Sequence, residues 1–124
     1  KTDNSDITIL NNYAYYLAEQ DLRLKEAEKM ARQVIETEEE NTTFLDTYAW
    51  VLYKRGKLKE AERIMQTVIE SGDKPDAEWY EHMGFIQMKR KNCENAVINW
   101  NIALELDSTK TNLLDEIKKC ERLR

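Results

Sequence analysis

The side chains best suited to chemistry in this chain are a single histidine, His82, and two cysteines, Cys93 and Cys120. His82 has no neighbouring Cys or Ser arranged with it as a nucleophile and base, and no Gly-rich stretch resembles a phosphate-binding loop. No His or Cys cluster has metal-ligand spacing, so the sequence implies no metal site, no cofactor and no catalytic residue. A lone His on a helical segment reads as a polar surface residue. The 24 Asp and Glu residues supply carboxylates in abundance, yet abundance alone assigns no acid or base.

The charge pattern narrows the partners. Net charge is −5, and Lys1 to Asn41 alone holds five basic and ten acidic residues. A nucleic-acid binder would need a basic stripe to neutralise phosphates, so the charge argues against nucleic acid as a partner. The acidic run "ETEEEN", Glu36 to Asn41, reads as a solvated helix end or turn. No stretch approaches the length of apolar sequence that spans a bilayer, and the chain is expected to be soluble. It opens on "KTDNSD" with no initiator Met and no signal-like run, which reads as a processed chain or a piece of a longer one. No compartment is written in it.

Positioning any site falls to repetition. "YAWVLYKRGKLKEAE" from Tyr48 echoes "YAYYLAEQDLRLKEAE" from Tyr13. Leu10, Leu45 and Tyr80 are successive partners at a spacing of 35, as are Ala14, Ala49 and Gly84. A second set, Ala27, Ala61 and Ala96, begins at a spacing of 34, because the turn "EQDLRL" is one residue longer than "KRGKL". Insertions belong in turns.

Within each unit apolar residues recur three and four apart, as in Leu45, Tyr48, Ala49 and Leu52, then Leu58, Ala61, Ile64, Met65 and Val68. With 41% apolar and 35% charged residues, three Gly and one Pro, the composition favours helices as well. Gly56 closes one helix and opens the next, so each unit is a helix pair. The expected helices run Asp6 to Gln20, Leu24 to Thr37, Thr42 to Lys54, Leu58 to Ser71, Asp76 to Lys89 and Cys93 to Leu106, with Asp76 as an N-cap. A seventh, over about 110–123, places Leu113, Leu114, Ile117 and Cys120 on one stripe and seals the open end of a stack. The whole of 1–124 reads as one all-α domain, with repeats at about 7–41, 42–75 and 76–108. A helix of about fourteen residues is marginal alone in water, so the units must stack to bury their apolar stripes. Stacking also brings Cys93, at the start of one helix, towards Cys120, near the end of an antiparallel one. Two reduced thiols acting as small apolar residues are the expected state, and a bond requires a Cα separation below about 7 Å.

These units resemble the tetratricopeptide repeat over nearly the whole chain. The family's aromatic or Leu at position four is Leu10, Leu45 and Tyr80. Its small residue at eight is Ala14, Ala49 and Gly84, and its Ala at twenty is Ala27, Ala61 and Ala96. The usual Tyr at eleven is replaced by Leu17, Leu52 and Gln87. The usual aromatic at 24 survives only as Trp100, beside Ala31 and Met65. The usual Pro at 32 gives way to Glu39, Asp73 and Ser108. The resemblance implies an α-solenoid, a right-handed superhelix of antiparallel helix pairs, acting as a protein-interaction module whose first helices line a concave groove.

Carried onto this chain, the groove positions of the family include Asn11, Tyr15, Asp46, Trp50, Tyr53, Glu78, Glu81, Phe85 and Met88. Position nine forms an aromatic column of Tyr15, Trp50 and Phe85, which reads either as core or as a binding ladder. Asp46, Glu78, Glu81 and Glu19 beside it imply a basic, apolar protein or peptide partner. The Lys, Asn and Arg set by which chaperone-binding members hold a carboxylate is absent. A pentatricopeptide-type RNA reader is the remote alternative, disfavoured by the acidic charge. The nearer alternative is an architectural or self-associating segment of a longer array, in contact through the apolar N-terminal helix residues Ile7, Leu10, Tyr13, Tyr16 and Leu17.

Overall fold

The computed structural model describes residues 4–123, so the leading "KTD" and Arg124 of the expected domain lie outside the described residues. The described residues form seven α-helices and no strand: α1 (Asn4–Glu19), α2 (Leu24–Thr37), α3 (Thr42–Lys54), α4 (Leu58–Ile69), α5 (Ala77–Lys89), α6 (Cys93–Leu106) and α7 (Asn112–Arg122). The all-α expectation holds, and α2, α3 and α6 have the bounds read from the sequence. α4 ends two residues early, where Ser71 and the left-handed Gly72 (φ 89°) lead out of the helix.

Helix starts follow local chemistry. The Asn41 side chain accepts from the Phe44 N–H, that of Asp76 from Glu78 and that of Asn92 from Asn95, each satisfying a donor that the first turn leaves open. The expected N-cap at Asp76 is the observed one. The run Glu36 to Asn41 carries the end of α2 and the turn into α3, as its charge suggested.

Helix ends repeat even more closely. Leu22 N–H donates to Leu17 C=O at 2.9 Å, Lys57 to Leu52 at 2.9 Å and Asn92 to Gln87 at 2.8 Å, each at the same step in its repeat. The residue before each donor is left-handed: Asp21 (φ 54°), Gly56 (φ 81°) and Lys91 (φ 65°). This is one C-terminal cap made three times, with glycine at only one of the three positions where it is the unstrained choice. The extra residue of the first turn is accommodated by a second left-handed residue, Arg23 (φ 43°), directly before α2.

The chain divides into two compact units, Lys1–Ile64 and Met65–Arg124, with the division inside α4. In the first, α1 and α2 form an antiparallel hairpin and α3 packs on both. Ile7, Val34 and Phe44 form a buried cluster there, with Leu10 and Ile35 against it. In the second unit α5 and α6 pack along each other, and α7 lies on α6. Its core is Ala96, Trp100, Ala103, Leu113 and Cys120, flanked by Tyr80, Phe85, Met88 and Ile117. Ala14, Ala49, Ala27, Ala61 and Ala96 are all fully buried, as close helix approach requires.

Three expectations need correction. His82 is buried rather than on the surface, because α5 also buries Trp79, Met83, Ile86 and Gln87 and leaves little of its circumference to water. Leu114 is exposed; α7 buries the Leu113 and Cys120 line, and Leu114 sits one residue, about 100°, away from it. Cys93 and Cys120 are not a pair of free thiols but a disulfide, with Cα atoms 5.5 Å apart. Their proximity was legible, and the bond follows from Cα atoms already inside bridging distance.

Candidate functional site

In the first unit, the named residues lie on α1 and α3. Asn11 is buried, with its Nδ2 3.5 Å from Asn12 Oδ1 and its own Oδ1 without a hydrogen-bond partner. Tyr15, one turn further on, is half-buried and donates its hydroxyl to Glu19 Oε2 at 3.1 Å. On α3, Asp46 and Trp50 are buried, the latter 7% exposed, while Tyr53 is half-buried. Trp50 and Tyr53 are i and i+3 neighbours on one helix face, and their rings stack at 4.6 Å with 20° between planes. The Lys54 ammonium sits 5.7 Å from the Trp50 ring centroid and is held there by Asp21 at 3.3 Å. The result is a rigid aromatic face with an anchored cation at its edge.

The second unit carries the remaining four on α5. Glu78 and Glu81 are half-buried, as are Phe85 and Met88. Phe85 meets Trp100 edge-on at 5.3 Å, so one side of its ring belongs to the core. Glu81 pairs with Lys110 at 2.8 Å, fixing the loop before α7 onto α5. Burial by itself would lower the Lys110 ammonium, but the hydrogen bond and charge of Glu81, with the charges of Glu78 and Asp107, outweigh it and raise its pKa. The Met88 sulfur lies against the cystine, 3.6 Å from Cys93 Sγ and 3.5 Å from Cys120 Sγ.

The strongest electrostatic feature was not singled out in the sequence. Glu28, almost fully buried on α2, accepts from Lys57 (2.8 Å), Arg32 (2.8 Å) and Arg55 (3.0 Å). Burial pushes this carboxyl up, but the hydrogen bond and charge of Lys57 and the charges of Arg55 and Arg32 hold it below the ordinary carboxylate range. Its two partners from the α3–α4 turn tie that turn to α2. The available signal was the "KRGK" turn one repeat after an acidic helix start, which spacing alone does not convert into contact. Among the described residues no group of three or more His, Cys, Asp and Glu is placed to hold a metal ion, and no helix is long and apolar enough to cross a membrane.

The geometry presents helix pairs with aromatic and charged side chains on their first helices. No family model matches the chain. Over 75 residues, 60% of this chain, it is 31% identical to the TPR repeat-containing protein PA4667 of Pseudomonas aeruginosa, of whose length it spans 12%. Among solved structures it resembles YrrB, described as a TPR protein with an unusual peptide-binding site. The TM-score is 0.71 at 18% identity, covering 90% of this chain and 56% of that one. The chain therefore spans only part of either relative. Its fold is that of the tetratricopeptide-repeat structure it resembles, all-α and of the kind from which α-solenoids are built.

Proposed function

We propose that this chain is a non-enzymatic interaction module that captures a segment of another protein on the exposed faces of its first helices. In the first unit the accessible contact residues are Tyr15 and Tyr53, with the buried Asn11, Asp46 and Trp50 on the same helices; in the second they are the half-buried Glu78, Glu81, Phe85 and Met88. The observation that carries this reading is the Trp50–Tyr53 stack, whose outer ring is only half covered and whose position Lys54 and Asp21 hold fixed. Rigid aromatics lose little entropy on binding and anchor interfaces well. An apolar segment with basic flanks suits these faces, with the acidic character of the chain favouring its approach. The likeness to a protein described as having a peptide-binding site supports the same class of partner.

Panning a random peptide library against the full chain tests this. Convergent apolar and basic peptides are expected, and Tyr53→Ala is expected to weaken them at least about tenfold while the melting temperature stays nearly unchanged. Trp50→Ala is the poorer probe, because truncating so buried a ring lowers stability too. A library that yields no convergent sequence, or peptides held equally well by Tyr53→Ala and Tyr15→Ala, overturns the reading.

A second reading has its own observation. On α1 the expected contact residues Ile7 and Leu17 are buried in the core, but Tyr13 and Tyr16, with Ile9, are exposed, at 38%, 54% and 65%, more apolar surface than one helix needs to show water. That face favours contact with a second copy or with further repeats. Sedimentation of Ile9→Glu against the wild type distinguishes it, since only self-association makes the variant lighter.

A further inference from the structure

No His or Cys cluster in the sequence has metal-ligand spacing, but spacing does not count thioethers brought in from another helix. The structure brings together three sulfur atoms from three helices: Cys93 at the first residue of α6, Cys120 near the end of α7, and Met88 near the end of α5. Met88 Sδ lies 3.6 Å from one cystine sulfur and 3.5 Å from the other, capping the disulfide symmetrically. Cys120 is fully buried, whereas Cys93 and Met88 are half-buried, so the cluster opens to solvent on one side.

We propose that, once the disulfide is reduced, Cys93, Cys120 and Met88 bind one Cu(I) ion in a planar trisulfur site. Metal–sulfur bonds of about 2.3 Å directed to the corners of a triangle place the ligands about 4 Å apart. The thioether already stands near that distance from both cysteines, so only the two Sγ atoms must separate, between Cα atoms fixed 5.5 Å apart. Two thiolates and a thioether form a soft, three-coordinate set that selects Cu(I), and among the described residues no carboxylate or imidazole joins the two cysteines in a group that could hold Zn²⁺. Cys93 begins a helix, where the exposed N–H groups favour negative charge on its sulfur.

A dithiol supplies the two electrons. Its thiolate attacks Cys93 Sγ, the more accessible sulfur, and Cys120 leaves as a thiolate. The second thiol of the reductant then displaces Cys93, so the dithiol becomes a cyclic disulfide while two electrons and two protons pass to the protein. Cu(I) next replaces the two thiol protons, and no further electron moves. Oxidation of the pair by another disulfide reverses the sequence and expels the ion.

The test uses the full chain, reduced anaerobically with a phosphine, and Cu(I) presented in a chromophoric chelator. Reduced wild type is expected to withdraw one equivalent, with X-ray absorption showing three sulfur ligands near 2.3 Å. The oxidised chain is expected to withdraw none. Met88→Leu keeps the apolar packing and the cysteines, and is expected to weaken Cu(I) binding about tenfold or more, since even outer-shell partners are worth that much. Cys120→Ser is expected to abolish it. Copper left entirely with the chelator overturns the proposal, whether or not reduction also unfolds the chain. So does a Met88→Leu variant of undiminished affinity, or a preference for Zn²⁺ over Cu(I).

Discussion

Gly84 faces the indole of Trp100 so closely that a Cβ built on it would lie 2.2 Å from Nε1 and 2.4 Å from Cδ1. The same indole N–H donates to the Glu81 carbonyl at 3.3 Å, so the ring is fixed and has no room to retreat. The two other repeats hold Ala14 and Ala49 at this step and place Ala31 and Met65, not an indole, at the step of Trp100. A small residue and a large one have changed together.

Gly84→Ala should therefore destabilise the chain by about 1–3 kcal/mol. In an ordinary helix interior the same change would stabilise it by up to about 1 kcal/mol. Urea unfolding measures both signs. Combined with Trp100→Leu, the cost should be clearly less than the two single costs added together, as expected of residues in contact. Strict additivity would mean that the indole is not the obstacle.

Glu28 predicts how stability falls with acid. Its pKa is depressed in the fold, so its contribution is complete above the unfolded value of about 4.3 and is lost as pH falls through the lower folded value. Glu28→Gln should cost about 1–3 kcal/mol at neutral pH, because three cations lose their shared acceptor. It should also flatten the stability curve below pH about 4. Melting temperatures of both proteins across the acid range check this, and parallel curves would count against it.

The left-handed turn residues supply a prediction of the opposite sign. Lys91 holds φ 65° where the second repeat has Gly56. An L-residue there costs about 1–2 kcal/mol, and glycine returns part of that gain as unfolded-state entropy. Lys91→Gly should stabilise by about 0.5–1 kcal/mol, and Gly56→Ala should destabilise by about the same amount. Thermal unfolding of the two variants should move in opposite directions.

Lys110 governs the alkaline side. With its pKa raised chiefly against burial by Glu81, its contribution is full below the unfolded value of about 10.4 and disappears as pH rises through the higher folded value. Lys110→Met should remove that alkaline loss and lower stability at neutral pH by roughly 1 kcal/mol, the Glu81 carboxylate being left half-buried without its cation. Hydrogen exchange in the segment joining α6 and α7 should quicken in the variant.

Much of this architecture was legible. Apolar residues three and four apart located the helices, and the 35-residue register aligned the small residues Ala14, Ala49 and Gly84, which the fold buries. The extra residue of the first turn was legible too, though not that Arg23 would adopt a left-handed conformation to accommodate it. What the sequence hid was side-chain partnership across elements. His82 is buried because α5 is covered on several sides, which its own polarity does not announce. Gln87, at a step the family usually fills with Tyr, is buried with its Oε1 accepting from Asn99 at 2.7 Å. Two polar residues on neighbouring helices thus satisfy each other, a match that one-dimensional spacing does not show. Of the candidate site, the Trp50–Tyr53 pair was visible as an i and i+3 pair, but its stacking and the Asp21–Lys54 anchor depend on how the first turn folds back.

The Cys93–Cys120 bond spans 27 residues of sequence. In a backbone under tension, a covalent loop keeps its contents out of the line of pull. Stretched from its ends, the oxidised chain should pay out roughly 90 Å less contour than the reduced one, at about 3.5 Å per residue. Its last two helices would be shielded from the load, and single-molecule extension in the presence and absence of reductant would read that difference directly.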